Sequence, residues 1–100
     1  MTRDDLKKYK LPDEPGIYLF RKGRKILYVG KATSLRDRVR GYFASDLASG
    51  RGARIVKMVE QATSLEWVET GSVLEALILE ANTIKEKQPP YNIDEKDNKS

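Results

Sequence analysis

The chain has 100 residues, with nineteen Lys and Arg against fifteen Asp and Glu, no histidine and no cysteine. A chain of this length makes one domain with a modest core, so a surface groove rather than an enclosed cavity is the expected site. Without cysteine there are no disulfides and no thiolate chemistry. Without histidine the commonest general base and the commonest zinc ligand are missing. Catalysis falls to carboxylates, Tyr, Lys, Arg or a hard, oxygen-bound metal. No apolar run approaches the roughly 20 residues of a membrane span, and MTRDDLKKYK lacks the apolar core of a signal peptide, so a cytoplasmic location is expected. The net charge of +4 is too mild to name a partner. Its distribution says more. Residues 21–54 are rich in Lys and Arg, with Asp37 and Asp46 as the acids, whereas Glu60 to Glu80 hold five acids and no base. A clustered basic region suits a polyanion.

Residues 1–15 read as a polar, turn-rich entry ending in LPDEPG. Ile17 to Phe20 form a strand, Arg21 to Lys25 a charged turn around Gly23, and Ile26 to Gly30 a second strand, together a β-hairpin. A turn centred on Gly23 places Tyr18 opposite Tyr28 and Leu19 opposite Leu27. Ser34 caps a helix on which Leu35, Val39, Tyr42 and Phe43 recur at helical spacing. Asp46 to Gly52 is a loop. Ile55 to Ala62 is a second helix, with Ile55, Met58, Val59 and Ala62 on one side. Leu65 to Glu69 alternates as a third strand. Gly71-Ser72 opens a long helix that runs to about Lys87 and is stopped by Pro89-Pro90. Residues 1–92 read as one domain and 93–100 as a polar tail or the start of a linker. The order argues for an α/β (α+β) layer fold.

The last long helix separates two glutamates. Ser72-Val73-Leu74-Glu75 is a capping box, which accounts for Glu75. Glu80 has no such account, because its neighbours at three and four residues are Ala76, Leu77, Thr83 and Ile84, none of them basic. The apolar stripe reads as Leu74, Leu77, Ile78, Ala81 and Ile84, with Glu80 at its flank. A carboxylate there needs a cation from elsewhere in the fold, or a metal. Arg38 and Tyr42 lie one turn apart on the first helix. Lys31 sits at the strand-to-helix junction, after a Gly30 that permits close approach of another backbone. Two phenols, a lysine, an arginine and a third phenol near one sheet edge suit a phosphodiester, whose transition state gathers negative charge.

Gly16-Ile17-Tyr18 followed by Tyr28-Val29-Gly30 resembles the signature of the GIY-YIG nuclease superfamily. LPDEPGIYLF, YVGKATSLRDRVRGYF, EALILEANTIK and PPYNI extend the likeness over about 80 residues. It is closest to the N-terminal domain of the UvrC family of bacterial excision-repair nucleases. The resemblance implies a central three-stranded antiparallel sheet flanked by helices. It also implies hydrolysis of a DNA phosphodiester with one divalent metal, Mg²⁺ or Mn²⁺, and incision on the 3′ side of a damaged nucleotide. It places the metal-binding glutamate at Glu80 and the remaining functional positions at Tyr18, Tyr28, Lys31, Arg38, Tyr42 and Asn92. Tyr28 is the first choice of general base, Arg38 a phosphate ligand, and Tyr18, Tyr42 and Asn92 position water and phosphate. The implied partners are DNA and the damage-recognition and helicase proteins of excision repair. Two alternatives are a stand-alone nuclease acting on branched or specific DNA and a catalytically silent DNA-binding relative.

Overall fold

A computed structural model describes residues 1–43 and 52–97. Among these, the elements in chain order are α1 (Arg3–Leu6), β1 (Gly16–Lys22), β2 (Lys25–Ala32), α2 (Leu35–Gly41), α3 (Ala53–Gln61), β3 (Ser64–Glu69), α4 (Val73–Lys87) and α5 (Pro90–Asp97). The strands form one antiparallel sheet in the order β2-β1-β3, the α+β architecture expected. Most of the expected loop at Asp46 to Gly52 lies outside the described residues. Two elements went unread in the sequence. The short α1 is closed by a capping box in which the Asp5 carboxylate accepts from the Thr2 N–H at 2.9 Å, and that bond holds the carboxyl below its ordinary range. Residues 90–97 form α5, where a loose tail was expected from Ile93; Pro90 occupies its first position, where a missing N–H costs nothing.

The hairpin register differs from the expected one. The turn is the two-residue loop Gly23-Arg24, with Lys22 paired to Lys25. Gly23 takes a φ of 60°, which suits glycine at the first central position of a tight hairpin. A bulge then leaves Leu27 without a partner between the pairs Arg21↔Ile26 and Phe20↔Tyr28. The shorter turn and the bulge each move the pairing by one. Tyr18 therefore stands opposite Gly30, Leu19 opposite Val29, and Phe20 opposite Tyr28. The bulge also lets Leu27 and Tyr28, adjacent in sequence, pack on the same core cluster.

The sheet is covered on both faces. On one, Tyr18, Phe20, Leu27, Ala32 and Leu65 pack with Leu35, Val39 and Tyr42 from α2 and its end, and with Met58 and Val59 of α3. On the other, Ile17, Leu19 and Val29 lie beneath Ala76 of α4, with Leu79 and Ile84 alongside. Both serine caps form as read. Ser34 Oγ accepts from the Asp37 N–H, and Ser72 Oγ from the Glu75 N–H. The Glu75 carboxylate, however, reaches the N–H of Gly71 rather than that of Ser72, at 2.6 Å. Of the apolar stripe assigned to α4, Ile84 packs toward the sheet but the rest does not. Leu74, Leu77 and Ile78 are 65%, 45% and 52% exposed, and Ala81 is exposed too. The small side chain of Ala76, fully buried, is what lets the helix settle on the sheet. Among the described residues no helix is long and apolar enough to cross a membrane.

Candidate active site

The candidate residues converge on four residues of β2, Tyr28 to Lys31. Tyr18 lies across the strand pair with its phenol over Gly30. A Cβ built on Gly30 would come within 2.3 Å of the Tyr18 hydroxyl oxygen and 2.4 Å of Cζ. Where the sequence suggests close approach of another backbone at Gly30, a neighbouring ring fills the space instead. The Tyr18 hydroxyl is hydrogen-bonded to that of Tyr42 at 2.6 Å, and both residues are 1% exposed. Phe20 completes an edge-to-face trio, with its ring 6.0 Å from Tyr18 and 5.2 Å from Tyr42. Gly16 is needed for a parallel reason, because a Cβ there would meet the Val68 carbonyl oxygen at 2.2 Å. Both glycines of the two triplets thus answer to packing. Tyr28 is half-buried beside the same cluster, diagonal to Tyr18 across the pair rather than opposite it.

Because β2 is an edge strand, Val29 faces outward with its backbone groups. Asn92 takes them both. Its Oδ1 accepts from the Val29 N–H at 2.9 Å and its Nδ2 donates to the Val29 carbonyl at 3.0 Å. One N–H and one lone pair of the amide are left over. The flanking residues seat α5 for this contact. Tyr91 donates to Gln61 Oε1 at 2.9 Å, and the Arg54 guanidinium lies 4.7 Å from the Tyr91 ring centroid while donating to the Pro90 carbonyl.

On the opposite sheet face Lys31 points toward α4. Its Nζ lies 3.7 Å from Glu80 Oε1, and the two side chains are 46% and 18% exposed. This is the cation from elsewhere in the fold that Glu80 was expected to need. At 3.7 Å the pair is an ionic contact, not a hydrogen bond, so the carboxylate oxygens keep lone pairs for another ligand. Glu80 and Asn92 line one cleft of about 520 Å³ with Ile84, Lys85 and Gln88. Among the described residues no group of three or more acids could by itself enclose a metal. One half-buried carboxylate in an open cleft, with hard oxygen donors, fits Mg²⁺ or Mn²⁺, which keep several waters and complete their shell with substrate phosphate. Arg38 stands apart, exposed on α2 one turn before Tyr42.

The family model of the UvrC-like GIY-YIG domain matches residues 14–93. The chain belongs to that family. It is 52% identical over 94 residues to the UvrABC system protein C of Haloarcula marismortui, a match that covers 90% of this chain and 15% of the relative. It is 49% identical over 89 residues to the protein of the same name from Thermus thermophilus, covering 89% and 14%. The chain thus spans about one seventh of the length of the curated relatives it matches. The crystal structure of the GIY-YIG N-terminal endonuclease domain of UvrC from Thermotoga maritima, bound to magnesium as its catalytic divalent cation, superposes with a TM-score of 0.79 at 35% identity and covers 93% of this chain and 100% of that one. A variant of that domain with an asparagine replaced by alanine, also bound to its catalytic divalent cation, matches with a TM-score of 0.77 at 35% identity, covering 91% and 97%.

Two participants in this UvrC-like site escaped the sequence reading. The backbone of Val29 is one; nothing in a valine advertises that its peptide groups lie on a free edge. Tyr91 is the other, and the PPYNI segment that carries it was the available signal.

Proposed function

We propose that this domain hydrolyses a DNA phosphodiester with one divalent ion, Mg²⁺ or Mn²⁺, held at Glu80. In its protein of origin it would make the 3′-side incision of nucleotide excision repair. In this reading residues 1–92 carry the reaction, residues 93–100 are a tail or the start of a linker, and the cytoplasm is its compartment. DNA and the other UvrABC proteins are its partners. The observation that carries the proposal is Glu80 itself, a shielded carboxylate paired with Lys31 at 3.7 Å on the strand that also bears Tyr28.

When bound, the ion supplies Lewis-acid stabilisation of charge on a phosphate oxygen. The side chains do the rest. Tyr28 accepts the proton of the attacking water in its phenolate form, which a phenol of ordinary pKa about 10 populates to only about one part in a thousand at pH 7, and this limits the turnover it can support. Arg38, exposed and rigidly charged, donates two parallel N–H bonds to non-bridging oxygens. Lys31 holds the Glu80 carboxylate in place and adds positive charge where the leaving oxygen becomes anionic. Tyr18, Tyr42 and Asn92 are positioning residues: the first two fix the strand from its buried face, and Asn92 fixes it from its edge.

The test is metal-dependent nicking of supercoiled plasmid by Glu80→Ala. Incision should fall to background while circular dichroism and thermal stability stay those of the parent. Normal cutting by a pure Glu80→Ala protein removes Glu80 from the reaction.

A further inference from the structure

A second basic surface lies away from the Glu80 cleft. Between α1 and α2 a cleft of about 580 Å³ is lined by five cations and by four apolar or aromatic residues. That volume is in the range that takes a small organic ligand. Its cations divide into two kinds. Arg3 and Arg36 are committed to structure: Arg3 donates from Nε to the Phe43 carbonyl at 3.2 Å, and Arg36 reaches Asp13 and Asp37 at 3.3 Å each. Lys10 and Arg40 line the cleft with no ion pair among the described residues. Lys7 has only the exposed contact to Asp4 at 3.5 Å, a pairing of little worth in water.

Two of the lining residues are aromatic. Phe43 and Tyr9 are both half-buried and both line the cleft. The Tyr9 ring is held from behind, where its hydroxyl accepts from the Leu65 N–H at 3.2 Å and its plane meets Trp67 edge-on at 6.0 Å. Cations and aromatic rings lining one cleft make the combination that binds unpaired nucleotides, with phosphate on the cations and base on a ring. A duplex, whose bases are stacked away inside, has no use for the rings.

The cleft's place on α2 relates it to the reaction. Arg36 and Arg40 are one turn apart and share a side of the helix, while Arg38, two residues from each, points to roughly the opposite side. The helix that offers Arg38 to the scissile phosphate therefore turns its back, on the order of 10 Å away, to the cleft. We propose that the α1–α2 cleft binds a single-stranded nucleic-acid segment adjoining the cut, with Lys7, Lys10 and Arg40 on phosphates and Phe43 stacked on a base.

The test is binding of a fluorescein-labelled dT12 by the 100-residue chain, read by anisotropy in EDTA across a salt series, where no cutting occurs. Lys7→Gln with Lys10→Gln and Arg40→Gln should weaken binding at least tenfold and flatten the slope of log K against log salt by about 2, at roughly 0.7 per lost phosphate contact on a single strand. Phe43→Ala should weaken binding about tenfold at unchanged slope, a stacking loss of usual size, and Phe43→Tyr should restore it. A control that removes Lys22, Lys25 and Lys57, all exposed and lining neither cleft, should leave dT12 binding within twofold of the parent. Equal losses from the control triple overturn the site. An abasic oligomer of the same length bound as tightly as dT12 overturns the stacking. Because the assay contains no active metal, failure of the nuclease reading at Glu80 leaves its outcome untouched.

Discussion

The phenol ring of Tyr18 occupies the space that a side chain on Gly30 would fill. Its hydroxyl oxygen would sit 2.3 Å from a Cβ there, and the ring is buried to 1% exposure. Gly30→Ala must therefore displace a packed aromatic ring or a strand. Overpacking of this kind costs about 1–3 kcal/mol, and urea unfolding should place the variant at the upper end. Combining it with Tyr18→Ala should cost less than the sum of the two single changes, because the clash is gone. Additive losses would mean that the ring does not lie over the glycine.

The hydroxyl pair Tyr18–Tyr42, at 2.6 Å, should show as a coupling. In a double-mutant cycle of Tyr18→Phe and Tyr42→Phe, the stability coupling should be about 0.5–1.5 kcal/mol, the net worth of one buried hydrogen bond. Incision should fall in both single variants with little change in metal affinity, since the pair packs on the sheet face opposite the one that α4 covers. A coupling near zero would separate the two tyrosines.

Asn92 and the Val29 backbone give a third expectation. Asn92→Asp keeps the acceptor for the Val29 N–H but turns the donor end into a second acceptor facing the Val29 carbonyl. It should be more damaging than Asn92→Ala, which costs about 1–2 kcal/mol through two lost partners at a partly buried edge. Both should slow incision through kcat rather than through metal binding. Calorimetric titration with Mn²⁺ checks this directly, and a tenfold loss of metal affinity in Asn92→Ala would make Asn92 a metal-site residue instead.

Lys31 competes with any cation for Glu80. Removing it in Lys31→Met should tighten Mn²⁺ binding two- to fivefold, a modest effect because the lysine is nearly half exposed and its attraction is screened by water. The same change should lower incision, since the positive charge beside the leaving oxygen is lost. Weaker metal binding in Lys31→Met would show that the lysine orients the carboxylate more than it opposes the ion.

Much of this was readable from local chemistry. Ser34 and Ser72 announced their helices because capping is a matter of four consecutive residues, and Glu80 stood out because helix spacing alone shows that no neighbour can hold it. What failed needed information from across the chain. The Leu27 bulge is decided by how two faces of the sheet fill, so the Tyr18 pairing could not be counted from the turn. Leu74, Leu77 and Ile78 recur at helical spacing as a core stripe would, and periodicity cannot tell a stripe that faces a sheet from one that faces water. Ala76 marks the true contact by being small, which in sequence resembles an unremarkable surface position. The pairing of Asn92 with a strand backbone leaves no trace in residue type.

The exposed leucines and isoleucine of α4 have a practical consequence. Apolar dyes such as ANS report loosened proteins by binding apolar surface that a tight native state hides. Here Leu74, Leu77 and Ile78 offer such surface while every core residue is in place. The folded domain will fluoresce with the dye at the start of a melt, and a bright baseline will be a property of the native protein rather than a sign that it has begun to come apart.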